Sequence, residues 1–202
     1  MRALLARRRS HNEQIIVAPC GVIIARITLF AAEAVSAVAV RTRCSFVALQ
    51  PHRFASRPPQ EFIRQTYRNL RFRPNHIYFD NNCLLRKWLD RHGDTFFDDI
   101  GLSVDPFHFN TKHKVSDTFC QRNCDPASFP ELYADDGTYY FNSSIAEQTN
   151  VWLANYNSVL REMRHNRFNF FLDEMIIRKN RQTIAKLELQ GAFPTTWPNP
   201  AL

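Results

Sequence analysis

The chain has 202 residues, enough for one domain with extensions and a sizeable hydrophobic core. Its net charge is +7, but four of these charges are arginines within the first ten residues, so the remainder carries only +3 and gives weak support for a nucleic acid partner. Glycine occurs only 5 times and never as GxGxxG or a P-loop, which argues against a glycine-rich nucleotide-binding loop.

The cysteines are odd in number and widely spread, which is not the pattern of a secreted disulfide framework. We therefore expect a reducing compartment, with metal binding as the main question for the last two. The five cysteines are Cys20, Cys44, Cys83, Cys120 and Cys124.

Residues 1–10 form a basic, acid-free tail. This composition is shared by mitochondrial transit peptides and by nucleic-acid-binding or nuclear-import tails, and a misassigned start codon would also leave such a segment. The sequence leaves these three interpretations open.

Residues 15–40 are the most apolar stretch, but Arg26 and Glu33 interrupt it and Pro19 breaks it early. Charges near the centre of a membrane span are costly, so we predict no membrane segment. The pattern instead predicts short strands over residues 14–18 and 22–28 and a helix of small residues over 30–40.

Residues 41–73 are rich in arginine, and prolines prevent regular structure across the middle of this segment. A short helix is predicted over residues 61–70. Arginines and aromatic residues together suit a polynucleotide backbone, while a solvated basic loop is the alternative.

The sequence HIYFDNNC at residues 76–83 predicts a buried strand followed directly by Asp80 and then by a helix over residues 83–91. An acid at this position lies at the carboxyl edge of a sheet, where open α/β sheets bind their ligands. The alternative is that Asp80 only caps the next helix.

A second strand is predicted over residues 102–110, with Phe107 and Phe109 on one face. Two histidines and two cysteines occur between residues 108 and 124. Two imidazoles and two thiols have the number and softness of tetrahedral zinc ligands, although their spacing is not that of a standard zinc finger. The alternative is that the thiols are ordinary buried cysteines and the histidines are surface residues. The candidate zinc ligands are His108, His113, Cys120 and Cys124.

The last third of the chain predicts a loop over residues 126–137, a small strand over 138–141 and two helices. The first helix begins with a capping box of Ser144 and Glu147, and the second covers residues 169–189 and ends at Gly191. Residues 192–202 form a proline-rich tail.

Asp80 and Glu147 can be brought together by an α/β fold. Two ionised carboxylates a few ångströms apart are what Mg²⁺ or Mn²⁺ needs, and such ions can activate a water or a hydroxyl against a phosphodiester. The alternative is that these acids are two unrelated helix caps.

Four blocks of the sequence, in the same order, resemble fungal transposases of the Kyakuja–Dileera–Zisupton group. They are HNEQIIVAPCGVIIARITLFAAEAV, HIYFDNNC, FHFNTKHKVSDTFCQRNCDPASFPEL and FNSSIAEQTNVWL. The resemblance covers residues 12–40 and 74–198 and omits the arginine-rich middle.

The resemblance implies an α/β fold, namely a partial RNase H-like domain over residues 11–191 with a His/Cys insertion at 104–137, a diverged segment at 41–73 and two C-terminal helices. In such transposases an Asp, Asp, Glu triad binds Mg or Mn, and the pattern places the second Asp at Asp80 and the Glu at Glu147. The first Asp belongs on a first strand, but no acid lies on a predicted strand before Asp80. The resemblance therefore implies that this strand is missing, which would leave its neighbours without a hydrogen-bonding partner.

We therefore expect a remnant of a DDE transposase catalytic domain, inactive alone in phosphodiester cleavage and strand transfer. The resemblance implies DNA as partner, homo-oligomer formation and nuclear localisation, with a mitochondrial location as the alternative. The alternative function is a non-enzymatic zinc- and nucleic-acid-binding module.

Overall fold

The computed structural model describes residues 11–30, 38–42, 46–49, 59–69, 73–160 and 162–193. Within these ranges the protein is mixed α/β, as the sequence predicts, with two small sheets. The RNase H-like fold within this class, and the domain boundaries, stay predictions. The strands are β1 (His11–Val17), β2 (Ile23–Phe30), β3 (Val38–Thr42), β4 (Phe46–Leu49), β5 (His76–Phe79) and β6 (Gly101–Ser103), and the helices are α1 (Pro59–Tyr67), α2 (Asn82–His92), α3 (Pro106–Lys112), α4 (Thr118–Asn123), α5 (Ile145–Ala154), α6 (Asn157–Leu160) and α7 (His165–Leu189).

The two strands predicted on either side of Pro19 are confirmed as β1 and β2, which pair as an antiparallel hairpin. The backbone N–H of Ala18 donates to the carbonyl of Val22 at 2.7 Å and closes the turn between them. Side chains alternate across β1, so Ile15 packs into one apolar cluster and Ile16 into the other.

The second sheet has the order β4-β3-β5-β6, in which β3 runs antiparallel to both β4 and β5 and β6 runs parallel to β5. The helix predicted over residues 30–40 is wrong at both ends, because Phe30 belongs to β2 and residues 38–40 belong to β3, where β-branched valines favour a strand. The rest of that prediction, residues 31–37, lies outside the described residues.

Strand β5 is paired on both sides, by β3 and by β6. Both edges of β5 are therefore hydrogen-bonded, so the unpaired neighbour that the transposase resemblance implies is not found at this strand. Its antiparallel partner is β3 and its parallel partner is β6.

Three local predictions in the second half of the chain are wrong: the strand over residues 102–110, the strand over residues 138–141 and the capping box at the start of α5. The strand predicted over residues 102–110 ends at Ser103, because Asp105 caps helix α3 through a hydrogen bond from the N–H of His108 and Pro106 occupies the first helical position. Residues 138–141 contribute only an isolated bridge between Tyr133 and Tyr139.

The capping box predicted at the start of α5 does not form. The side chain of Ser144 makes no capping hydrogen bond, and its N–H instead donates to the side chain of Asn142 at 2.9 Å. The long C-terminal helix is confirmed, and the chain leaves it through Gly191, whose φ of 72° favours glycine.

Two apolar clusters lie on opposite sides of the hairpin. One joins Ile16 with α1, α2 and β5, and the other joins Ile15 and Val17 with α5, α6 and α7. A third, smaller cluster surrounds three cysteines beyond the carboxyl ends of β5 and β6, and it consists of Cys83, Val104, Phe109, Cys120 and Cys124.

Candidate metal site

The site lies where β5 and β6 end. Asp80 follows β5 directly and is buried, as the sequence predicts. The side-chain amide of Asn82, fully buried, donates to the carbonyls of Ile77 and Ser103, both at 2.7 Å. Because these carbonyls belong to β5 and β6, one side chain holds the two strand ends together.

Helix α2 begins immediately after this turn and places Cys83 in its first turn, facing inward. The carbonyl of Asn81 accepts from the N–H groups of Leu84 and Leu85 at 2.9 and 3.0 Å. Since only two residues separate Asp80 from Cys83, the thiol is fixed close to the strand end.

Helices α3 and α4 supply the other groups. His113 is the residue at which α3 ends, and Cys120 lies in the first turn of α4. The carboxylate of Asp117 accepts from the backbone N–H of Cys120 at 3.1 Å and caps α4. This hydrogen bond, together with the charge of Lys87, lowers the pKa of Asp117 below its usual value, although burial acts in the opposite direction.

Cys83, His113 and Cys120 bring one nitrogen and two sulfur atoms within 4.8 Å of one another. The Nδ1 atom of His113 is 3.1 Å from the Sγ of Cys120 and 3.9 Å from the Sγ of Cys83. Both thiols are buried and the imidazole is partly buried. Among the described residues, these three side chains form the one group of closely spaced His, Cys, Asp or Glu side chains that could hold a metal ion.

A hydrogen bond on the far side of His113 sets its tautomer. The Nε2 atom is 2.9 Å from the backbone carbonyl of Asp80, and a carbonyl can only accept, so Nε2 carries the proton. The lone pair of Nδ1 then faces the two thiols. Histidines that bind metals are oriented in this way, by a carbonyl or carboxylate on the other ring nitrogen.

Burial dominates the acidity of the thiols. It raises the pKa of Cys83, and together with the charge of Cys83 it raises the pKa of Cys120 to about 12. Without a cation both groups are therefore neutral thiols at neutral pH. Thiolate sulfur and imidazole nitrogen are the ligands that Zn²⁺ prefers, so the donor set fits zinc.

The structure brings together two of the four predicted zinc ligands, His113 and Cys120, and adds Cys83, which the sequence did not indicate. Cys124 is fully buried in the same cluster of side chains, but its sulfur is not one of the three closely spaced atoms. The fourth predicted ligand, His108, lies outside this group, with its Nδ1 atom 3.7 Å from a carboxylate oxygen of Asp80.

The carboxylates predicted to bind Mg or Mn are in different surroundings. Asp80 is buried, whereas Glu147 is exposed in the first turn of α5, a helix that contacts β3. Neither belongs to the described group of metal-binding side chains. Burial, followed by the charge of His113, lowers the pKa of His108, so at neutral pH Asp80 faces a neutral imidazole.

Comparison of the chain with models of protein families, with characterised proteins and with solved structures yields no match. In the described part of the chain, every helix is too short or too polar to cross a membrane. The transposase resemblance is therefore carried by the sequence blocks alone.

Proposed function

We propose that the chain is a zinc-binding, DNA-binding module formed by the remnant of a transposase catalytic domain, and that it does not cleave DNA on its own. The observation that carries the proposal is the group of Cys83, His113 and Cys120. Bound zinc would provide the bonds that join helices α2, α3 and α4 at the ends of β5 and β6.

A cation at this site has a structural consequence because its ligands come from three separate elements. Cys83 belongs to α2, His113 to the end of α3 and Cys120 to α4. Helices of seven and six residues, such as α3 and α4, are too short to be stable alone, so they depend on such cross-links.

Basic residues beside the site support the DNA-binding part of the proposal. Lys112 and Lys114 flank His113 and are exposed, and Phe107 on α3 is 71% exposed. Cations neutralise phosphates, and an exposed aromatic ring can stack on an unpaired base. A nuclear location follows from this function, with a mitochondrial location as the alternative.

Zinc binding is tested by titrating the metal-free protein with Zn²⁺ in competition with a chromophoric chelator. We expect Cys120→Ser to weaken zinc binding by about 100-fold or more, since it removes a ligand. Cys20→Ser is the control, because Cys20 is exposed and lies outside the group of Cys83, His113 and Cys120, and this variant should bind zinc as the unaltered chain does. Equal affinities for Cys120→Ser and the control would contradict the proposal.

DNA binding is tested by fluorescence anisotropy with a labelled duplex and a labelled single strand over a range of salt concentrations. The double variant Lys112→Ala/Lys114→Ala should bind more weakly and show a salt slope smaller by about 2. Lys186→Ala, an exposed lysine on α7, is the matched control. An unchanged slope in the double variant would show that this surface does not bind phosphates.

A second candidate function, metal-dependent phosphodiester cleavage, is favoured by the position of Asp80 at the end of β5 and by the contact between α5 and β3. However, the imidazole of His108 faces the carboxylate of Asp80 and that of His113 contacts the backbone carbonyl, whereas Mg²⁺ and Mn²⁺ need oxygen ligands. We derive no catalytic step from this arrangement. A Mn²⁺-dependent DNA nicking assay that compares the unaltered chain with Asp80→Ala and Glu147→Ala tests this function. Nicking by the unaltered chain that is lost in both variants would establish catalysis.

A further inference from the structure

We propose that Cys124 is the fourth zinc ligand, so that the site is closed, with three sulfurs and one nitrogen around the metal. This inference rests on the proposed zinc function and deepens it. Three protein ligands leave a position for water or substrate, as in catalytic zinc sites, whereas four protein ligands make a purely structural site. The identity of the fourth ligand therefore decides what the metal can do.

Cys124 has the position that a fourth ligand needs. It follows Cys120 by one helical turn, and its N–H donates to the carbonyl of Cys120 at 2.9 Å, so both thiols lie on the same face of α4. Its own carbonyl accepts from the N–H of Val104 at 2.9 Å, directly after β6. These bonds fix its backbone beside the other ligands.

The thiol of Cys124 has no exposure to solvent and packs in one cluster with Cys83 and Cys120. It is a free cysteine, not part of a disulfide. Because rotation about χ1 from one staggered rotamer to another moves a cysteine sulfur by about 3 Å, the position of the Cys124 thiol can change while its backbone stays fixed.

The competing fourth ligands are less suitable. His108 is turned towards Asp80, its ring centroid is 6.2 Å from that of His113, and its side chain is 34% exposed. The carboxylate of Asp80 faces that same imidazole. A water molecule is the remaining alternative, and it would make the site open.

Cobalt substitution counts the thiolates directly, because the intensity of the sulfur-to-Co²⁺ charge-transfer band rises with each thiolate bound. We expect three thiolates in the unaltered chain, two in Cys124→Ser, and three in both His108→Ala and Cys20→Ser. An identical spectrum for Cys124→Ser and the unaltered chain would overturn the inference. A changed ligand field in His108→Ala, with Cys124→Ser unaffected, would assign the fourth position to His108.

X-ray absorption at the zinc edge of the unaltered protein keeps the inference testable if Cys124→Ser does not fold. Three sulfurs and one nitrogen would support it, and two sulfurs would overturn it while leaving the proposed zinc function intact. A chain that binds neither cobalt nor zinc would instead refute the proposed function itself.

Discussion

At the residue scale, Cys83 shows what the sequence could and could not reveal. It lies 30 residues before His113 and next to a predicted catalytic acid, so no local spacing connects it to the other ligands. Only the fold brings the first turn of α2 against α4. His113 and Cys120 were recognisable because they lie in one short segment, and their partner was not.

The pH dependence of zinc binding follows from the buried thiols. Burial raises the pKa of Cys83, and that of Cys120 to about 12, so both are protonated at neutral pH and must lose a proton when zinc binds. Affinity therefore increases with pH, by about 100-fold per unit between pH 7 and 8.5 for two thiols and about 1,000-fold if Cys124 also binds. Competition titrations at several pH values measure this slope, and a pH-independent affinity would rule out thiolate ligands.

Asn82 provides a stability test at the strand ends. In Asn82→Asp the buried carboxylate cannot donate to the carbonyls of Ile77 and Ser103, so we expect a loss of about 3 kcal/mol in the free energy of unfolding. Asn81→Asp makes the same change at the N-cap position of α2, where the Asn81 side chain makes no capping hydrogen bond, and should alter stability by less than about 0.5 kcal/mol. Denaturant unfolding measures the free energy of unfolding of both variants. An equally small loss in both would show that the hydrogen bonds of Asn82 contribute little to stability.

At the element scale, predictions succeeded where one pattern acted alone. The apolar runs of β1, β2 and β5 and the long periodic segment of α7 were all recognisable. Residues 104–110 do not extend the predicted strand, although Phe107 and Phe109 alternate, because Asp105 and Pro106 begin helix α3. The failure at residues 38–40 has a different cause, since only pairing with β4 and β5 makes that segment a strand.

The attachment of α7 to the hairpin gives a prediction at this scale. The side chain of Asn180 accepts from the backbone N–H of Ile23 at 2.8 Å and donates to its carbonyl at 2.7 Å. Asn180→Ala leaves both groups unsatisfied and should cost about 2 kcal/mol of stability. Gln182→Ala, at an exposed position on the same helix, is the control and should have almost no effect. A similar small effect in both variants would show that apolar packing alone holds α7.

A second set of contacts holds the same helix. Arg26 on β2 is 2.7 Å from the carboxylate of Glu13 and 2.6 Å from that of Asp173, which belongs to α7. Glu13 is largely buried, and burial raises its pKa while Arg26 opposes this effect. The hairpin is thus joined to the C-terminal helix by polar groups as well as by the apolar cluster between them.

At the scale of the whole molecule, the described chain has three separate packing clusters, and the smallest contains the proposed metal ligands Cys83 and Cys120. Apolar side chains form the two clusters beside the hairpin, whereas cysteines make up most of the third. The overall α/β class was predictable from the order of apolar segments. The RNase H-like fold was expected only from resemblance. Local sequence patterns do not predict the contacts between distant segments that would define this fold.

This division predicts a local response to metal removal. A chelator should increase amide hydrogen exchange in residues 104–124, which contain α3 and α4, while β1, β2 and α7 keep their protection because apolar packing holds them. Hydrogen exchange with mass spectrometry measures this difference. Loss of protection throughout the chain would show that the metal supports the entire fold, and no change would show that α3 and α4 do not need it.

The metal content of the purified full-length chain tests the central claim most directly. Elemental analysis should find one zinc ion per chain in the unaltered protein and in Cys20→Ser, and none in Cys83→Ser. Cys83 is the decisive position because it is the ligand that only the fold indicates. A zinc-free unaltered chain that also fails to take up added Zn²⁺, or a Cys83→Ser variant that keeps its zinc, would contradict the account.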